Sequence, residues 1–165
     1  FEEGIHQFRG TGYEFLEGEP LTLFRQQNSV LPLEIALDRF GSEEIIKAAS
    51  LVRTQLAAPF RDLISMLTDV QNIRILIRAK HAGLPPSFIT SCLLDGGMRI
   101  PAWRLVQLNE MMSVPDLVSQ LAGTGYDRVL HPLLSTYPGP ESLAGFDLAL
   151  DRFLAFGRNH LQTVQ

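Results

Sequence analysis

Residues 10–40 read GTGYEFLEGEPLTLFRQQNSVLPLEIALDRF, and the beginning and end of this stretch occur again 113 residues later. GTGY returns at 123–126 and ALDRF returns at 149–153. Aligned without a gap, 10–40 and 123–153 are identical at 11 of 31 positions. Ordinary composition gives roughly two identities by chance over this length. The two stretches therefore represent an internal duplication.

The spacing of the duplication sets the expected domain organisation. Solenoid repeats run roughly 20–50 residues, whereas this period has the length of a small domain. The sequence therefore predicts one complete unit at 10–122. The end of an earlier unit is expected at 1–9 and the start of a later, truncated unit at 123–165, so we interpret the chain as a piece of a longer protein.

Composition narrows the class of protein. The chain has 165 residues, is 45% apolar and 19% charged, and has a net charge of −4 without a basic run, which argues against nucleic acid as a partner. Its one cysteine, Cys92, has no intramolecular partner and fits a reducing compartment. No stretch approaches the roughly 18 apolar residues of a membrane span. The longest candidate, 82–94, is too short and contains two prolines.

Apolar residues recur at the spacing of α-helices nearly throughout, and no alternating run of strand length occurs. The chain is therefore predicted to be all-α. Both copies of the duplication carry a stripe at i, i+3, i+7 and i+10, which we expect to be buried. The stripes are Val30, Leu33, Leu37 and Phe40 in the first copy and Leu143, Phe146, Leu150 and Phe153 in the second. Because the second unit is truncated, its stripe is expected to lack part of its cover.

Capping residues and helix breakers set the expected helix boundaries. Ser29 is a candidate N-cap of the first repeated helix, and Gly41 with Ser42 is expected to kink or end it, with a new helix from Glu43. The longest helix is expected from Pro59 to about 81. Gly83 fits the left-handed position after its C-terminus. Shorter helices are predicted at 86–93, 101–112, 113–122 and 126–131.

Catalytic and metal-binding signatures are absent from the sequence. It contains no phosphate-binding loop, no nucleophile elbow and no paired cysteine or histidine motif. The histidines occur singly, without a partner at ligand spacing. We therefore predict no catalytic residue, no cofactor and no metal. These histidines are His6, His81, His131 and His160.

Two acidic pairs offer one candidate for chemistry. They lie at i, i+4 in equivalent positions of the duplication: Glu34 with Asp38, and Asp147 with Asp151. Neighbouring carboxylates can form an acid–base pair. The alternative, which we favour because a catalytic site rarely appears in both copies of a scaffold, is a charged ridge bound by arginines. Arg74 and Arg78 share the i, i+4 spacing and are the expected partners of Glu34 and Asp38.

The long helix offers a second candidate in the stretch DVQNIRILIRAKHAG at 69–83. Asp69 and Asn72 share a helical face with Leu76, and polar groups within such an apolar helix need hydrogen-bond partners. They either anchor the connecting loops or face a binding cavity. Anchoring is the interpretation that we favour.

Four stretches in order resemble the C subunit of V/A-type (archaeal-type) ATP synthases and its relative, the d subunit of the eukaryotic vacuolar proton ATPase. They are LEIALDRF at 33–40, DVQNIRILIRAKHAG at 69–83, a Gly-Gly turn within 93–99, and VPDLVSQLAGTGY at 114–126. The resemblance implies three similar all-helical units in a funnel with pseudo-threefold symmetry. The residues that match the family motifs are Glu34, Asp38, Arg39, Asp69, Asn72, Arg74, Arg78, Lys80, Gly83, Gly96 and Gly97. Gly41 and Ser42 depart from the family, whose members often carry aromatic residues here.

The resemblance implies a non-catalytic subunit of the central stalk. Such a subunit sits on the cytoplasmic end of the membrane proteolipid ring, receives the rotor shaft and transmits torque between ATP turnover and proton or sodium transport. It binds neither ATP nor metal and is peripheral to the membrane. Two alternatives remain open: an unrelated duplicated interaction scaffold, and an all-α enzyme that uses Glu34 and Asp38 in a deep pocket.

Overall fold

The structure, a computed structural model, describes residues 10–51, 58–95, 97–139 and 142–162. Within these ranges the chain forms α-helices and two 3-10 helices and contains no strand, which confirms the all-α prediction. The 3-10 helices span Glu14–Glu17 and His131–Thr136. The α-helices are α1 (Glu19–Gln27), α2 (Leu31–Leu51), α3 (Ala58–His81), α4 (Pro86–Cys92), α5 (Ala102–Glu110), α6 (Val114–Gln120), α7 (Asp127–Leu130) and α8 (Ser142–Gln162).

Helix α3 is the longest and lies at the centre, between α2 and α8. The C-terminal part of α3 is buried on several sides, whereas Phe60 near its start is exposed. The helix ends at His81, and Gly83 takes the expected left-handed position after it, with a φ of +64° that glycine adopts without strain. The amide of Leu84 then donates to the carbonyl of Ala79 at 2.9 Å and closes the last turn.

Helix α2 differs from the prediction because it continues through Gly41 and Ser42 without a break. One glycine inside a helix costs only about 1 kcal/mol. An ion pair spans the glycine, with Arg39 Nη1 3.3 Å from Glu43 Oε2. Lys47 adds a second pair, 3.4 Å from the same carboxylate. The separate helix expected from Glu43 is therefore the second half of α2.

The buried face of α2 also differs from the predicted stripe. Val30 and Leu37 are exposed, and the buried residues of α2 include Leu33, Ile35 and Ala36. The reason is that α2 contributes to two clusters on different sides. Leu33 and Ala36 pack with residues of the first 3-10 helix and α1, whereas Ile35 belongs to the main core around α3.

In the second copy, α8 buries the centre of its stripe. Phe146 and Leu150 are fully buried in the main core, and Leu143 and Phe153 pack against them. The expectation that this stripe lacks cover is therefore wrong for its central residues. The cover comes from the main core, which joins residues of α3 to residues beyond Gly123.

The duplication has a structural counterpart in the order of the elements. A turn that begins with a glycine at positive φ, +76° at Gly10 and +83° at Gly123, opens each copy. Short helical segments follow, and each copy closes on a helix of 21 residues, α2 or α8. No helix within the described ranges is long and apolar enough to cross a membrane.

Candidate functional site

The first part of the site is a buried carboxylate on α3. Asp69 is fully buried, and its Oδ2 accepts backbone N–H bonds from Met98 at 3.1 Å and from Arg99 at 2.7 Å. Its Oδ1 accepts the N–H of Ile100 at 3.2 Å. The hydroxyl of Tyr126 donates to Oδ2 at 3.1 Å. One side chain thus holds the loop before α5 and the repeated GTGY turn.

Burial and hydrogen bonding act in opposite directions on Asp69. Burial raises the pKa of its carboxyl group, and the hydrogen bonds from Arg99, Tyr126, Ile100 and Met98 lower it without cancelling the rise. Burial, followed by the charge of Asp69 and its hydrogen bond, raises the pKa of Tyr126. The four donors match the lone pairs of a carboxylate, so the arrangement favours anchoring over proton exchange with solvent.

Gly97 makes this approach possible. A Cβ atom at position 97 would lie 2.1 Å from Oδ1 of Asp69 and 3.0 Å from the carbonyl oxygen of Ile100. Any larger residue would displace the carboxylate. Gly96, its partner in the predicted Gly-Gly turn, lies outside the described residues.

Arg99 joins the same loop to the GTGY turn. Its Nη1 donates to the carbonyl of Thr124 at 2.7 Å. The guanidinium also lies over two rings, 6.0 Å from the centroid of Tyr126 and 5.6 Å from that of Phe153. These distances are typical of cation–π contacts.

The second polar residue of α3, Asn72, holds the segment after α4. Its Nδ2 donates to the carbonyl of Leu94 at 2.8 Å, and its Oδ1 accepts the N–H of Leu94 at 2.8 Å. Asn72 is fully buried, and this pair of bonds satisfies both backbone groups of Leu94. The contacts of Asp69 and Asn72 are of the anchoring kind that the sequence favoured.

The third part is a ladder of charges along α3, formed by Arg74, Arg78, Asp38, Asp147 and Asp151. The predicted pairing of Arg78 with Asp38 is confirmed, with Nη1 2.6 Å from Oδ2. The other nitrogen of Arg78, Nη2, donates to Asp147 Oδ2 at 2.8 Å. Arg78 thus connects α2 of the first copy to α8 of the second through α3.

The pKa of Arg78 reflects two opposing effects. Burial lowers this pKa, but the negative charges of Asp147, Asp38 and Glu34 raise it by more than burial lowers it, so the net shift is upward.

Arg74 binds the second copy and not the first. Its Nη2 donates to Asp151 Oδ1, and its Nε lies 3.4 Å from Asp147 Oδ1. The Nε–H is not aligned to donate a hydrogen bond across that distance. The prediction that Arg74 holds Glu34 is therefore wrong. Arg74 thus pairs with α8 alone, whereas Arg78 pairs with both α2 and α8.

Two further motif residues lie at the C-terminal end of α3. The ammonium group of Lys80 donates to the carbonyl of Asn109, which ties α3 to the end of α5. Burial lowers the pKa of Lys80. Gly83 follows in the turn described above. The motif residue Arg39 lies on α2 and pairs with Glu43 of that helix.

A groove of about 210 Å³ lies between α2, α3 and α8. Among the described residues that line it, most are apolar and Arg74 is the one that carries a charge. Neither Glu34 nor Asp38 lines it, so this groove is not the deep acidic pocket that the enzyme interpretation requires. Among the described residues, no group of three or more His, Cys, Asp or Glu side chains is placed to hold a metal ion.

The sequence of the chain also matches a known protein family. A family model described as ATP synthase (C/AC39) subunit matches residues 1–161. The chain belongs to this family. No solved structure matches it.

Curated archaeal relatives share one description, the C subunit of A-type ATP synthase. The relative from Methanobrevibacter smithii is 29% identical over 88% of this chain and 38% of its own length. That from Methanocaldococcus jannaschii is 26% identical over 93% of this chain and 38% of its own length. The Pyrococcus horikoshii relative is 31% identical over 84% of this chain and 36% of its own length. The chain thus spans less than two fifths of these relatives.

Sequence reasoning missed several residues that complete the anchors of this family member. Arg99 and Tyr126 complete the contacts around Asp69, and Arg104 donates to the carbonyls of Gln120 and Ala122 at 2.7 and 3.0 Å. Tyr126 had a usable signal, because it belongs to the repeated GTGY. Arg99 and Arg104 had none, since nothing in the sequence indicates which backbone carbonyls a lone arginine reaches.

Proposed function

We propose that this chain is part of a non-catalytic central-stalk subunit of a rotary V/A-type ATPase. The subunit joins the rotor shaft to the membrane proteolipid ring on the cytoplasmic side. It transmits the torque that couples ATP synthesis or hydrolysis to proton or sodium transport. The observation that carries the proposal is the family match over residues 1–161, together with the name that the archaeal relatives share.

The geometry of α3 supports a role in transmitting torque. A part that transmits torque must resist sliding and rotation of its helices. Arg78 bonds one aspartate on each of two neighbouring helices, α2 and α8, and charge-assisted hydrogen bonds of this kind fix both distance and orientation. Asp69 and Asn72 fix the loops on the same helix. A rotation of α3 relative to α8 therefore breaks several polar contacts together, and a rotation relative to α2 breaks the pair of Arg78 with Asp38.

Affinity capture tests the class of complex. The full-length protein, tagged and expressed at its native level, is isolated from membranes in a mild detergent, and co-purifying proteins are identified by mass spectrometry. We expect the catalytic, shaft and proteolipid subunits of a rotary ATPase. Capture of a different assembly, or of the protein alone under conditions that keep the ATPase intact, would contradict the proposal.

A coupling assay tests the mechanical role. In membranes that carry the Arg74→Gln/Arg78→Gln variant, we expect ATP hydrolysis to persist while ATP-driven ion transport falls. Arg152→Gln is the matched control, because Arg152 is exposed on α8 and its loss leaves the ladder intact. Equal losses of hydrolysis and transport, or equal effects of both variants, would argue against transmission of torque through the ladder.

A further inference from the structure

The groove between α2, α3 and α8 has the length and the shape of a binding site for a helix. On α3 it is lined by Ile64, Leu67, Gln71 and Arg74, which are spaced at i, i+3, i+7 and i+10 and therefore share one face of that helix. From Ile64 to Arg74 this face is about 15 Å long, or roughly three helical turns. Residues of α2 and α8 complete the lining. Grooves of this kind bind the apolar face of an amphipathic helix.

The edge of the groove exposes apolar side chains to solvent. Ile45 of α2 is 59% exposed, and Leu67 of α3 is 37% exposed. A small molecule enclosed in the volume of about 210 Å³ would fill the interior and leave these edges in water. A helix that lies along the groove covers the interior and the edges together. The exposed edges therefore favour a macromolecular partner over a small ligand.

The surface at the Arg74 end of the groove is acidic. The charge ladder at this end contains three aspartates and two arginines, so carboxylates outnumber guanidinium groups. The side chains of both arginines are mostly covered, whereas Asp38 is 44% exposed and Asp151 is 61% exposed. Among the described residues of the lining, none near Ile64 carries a charge. The groove therefore changes along its length from apolar to acidic.

We propose that this groove binds an amphipathic helix of a separate polypeptide. The helix carries apolar side chains at helical spacing, which contact Ile45, Ile64 and Leu67. A lysine or arginine one to two turns beyond these side chains lies at the Arg74 end and pairs with the exposed carboxylates there. Charge complementarity thus fixes the direction in which the helix lies. This binding is independent of the torque-transmitting role.

Two features indicate a separate polypeptide as the source of the helix. Arg78 bonds Asp38 of α2 and Asp147 of α8 within this chain, so the three helices are held together before any partner binds. A preformed surface suits a partner that folds on its own. The lining is also mixed, because seven of its eleven described residues are apolar and four are polar or charged. Interfaces between separately folded proteins combine an apolar centre with polar groups in this way.

Photo-cross-linking in the full-length protein tests the occupant. A diazirine amino acid replaces Ile45 in cells that express the protein at its native level, and cross-linked peptides are identified by mass spectrometry. We expect a segment of another polypeptide that has apolar residues at helical spacing followed by a lysine or arginine. The same probe at Val106, which is exposed on α5, is the control and should not capture this segment. A cross-link to lipid, to a second copy or to a part of the same polypeptide outside residues 1–165 would overturn the proposal, as would no cross-link.

The captured segment, made as a synthetic peptide, tests the charge assignment against the full-length protein in a fluorescence anisotropy assay. Replacing its lysine or arginine by glutamate should weaken binding by roughly tenfold or more, because a like charge then faces Asp38 and Asp151. The Asp38→Asn/Asp151→Asn variant should reduce this difference. High salt should reduce it in the wild-type protein, which needs no substitution. Leu67→Glu should abolish binding, and Val106→Glu should leave it unchanged.

Two outcomes of the binding assay would overturn the proposal. One is a peptide affinity that does not depend on the sign of the exchanged charge in the wild-type protein at low salt. The other is an equal effect of Leu67→Glu and Val106→Glu, since only Leu67 lines the groove.

Discussion

Replacement of Asp69 by asparagine tests the anchor on α3 with almost no change in volume. An amide keeps one acceptor oxygen, which serves the three donors at Oδ2, and places an NH2 group against the N–H of Ile100 at Oδ1. One buried donor left without an acceptor costs about 1–3 kcal/mol, and the remaining bonds each lose the roughly 1 kcal/mol that a charged acceptor adds. Relief from burying the charge offsets part of this. We expect a net loss of about 2–4 kcal/mol from such terms.

Chemical denaturation of the 165-residue chain measures this loss, with Tyr126→Phe as the matched control. That variant removes one donor and leaves the carboxylate with three, so its expected cost is about 1.5–2 kcal/mol, the value of one hydrogen bond to a charged acceptor. Asp69→Asn, which weakens or removes all four bonds, should therefore be the more damaging change. Equal stabilities of the wild-type chain and Asp69→Asn would refute the anchoring role.

The pH dependence of the same pair of proteins has a defined sign. Burial raises the pKa of Asp69 above its ordinary value of 3.8, so the folded chain holds this proton more tightly than the unfolded chain does. Stability that depends on the proton is therefore lost as the pH rises from 3.8 through the raised pKa. Asparagine does not titrate, so the stability advantage of the wild-type chain over Asp69→Asn should shrink across this window. A widening advantage would contradict the upward shift.

Two further predictions concern the glycines and the ladder. Gly97→Ala should destabilise the fold in thermal unfolding, because its Cβ would lie 2.1 Å from the buried carboxylate. Gly41→Ala has open space around it inside α2 and should stabilise the fold by about 0.5–1 kcal/mol. Stability changes of the same sign for both variants would refute this prediction. Double-mutant cycles by denaturation should give a stronger coupling for Arg78 with Asp147 than with Asp38. The reason is burial: the side chain of Arg78 is 22% exposed, that of Asp147 is 27% exposed and that of Asp38 is 44% exposed. Exposed pairs contribute under about 1 kcal/mol, and stronger coupling to Asp38 would contradict the ranking.

Local signals in the sequence were sufficient for most helix boundaries. Gly83 marks the end of α3 at positive φ, and Pro86 opens α4. Ser113 caps α6, with its hydroxyl oxygen accepting the N–H of Asp116 at 3.2 Å. These residues act through their own backbone conformation or through bonds to near neighbours, so their effect does not depend on tertiary structure.

The failures arose where tertiary packing decided the result. The i, i+3, i+7 pattern of Val30, Leu33 and Leu37 does not reveal that α2 contributes to two clusters, which changes the side that is buried. The partners of Arg74 were wrong for a related reason. The i, i+4 spacing of Arg74 and Arg78 predicted that they bind a row of acidic residues. It did not indicate that Arg74 would bind the acidic residues of α8 and not those of α2.

The sharing of Arg78 constrains how the two halves of the duplication diverge. Asp38 and Asp147 descend from different positions of the repeated helix, yet both depend on one guanidinium. A substitution at position 78 must therefore suit both copies at once, and a change in one acid alters the charge available to the other. Duplicated segments that fold separately accumulate changes independently. Here a single side chain makes the fitness of each copy conditional on the other, so we expect paired substitutions at these three positions across related sequences.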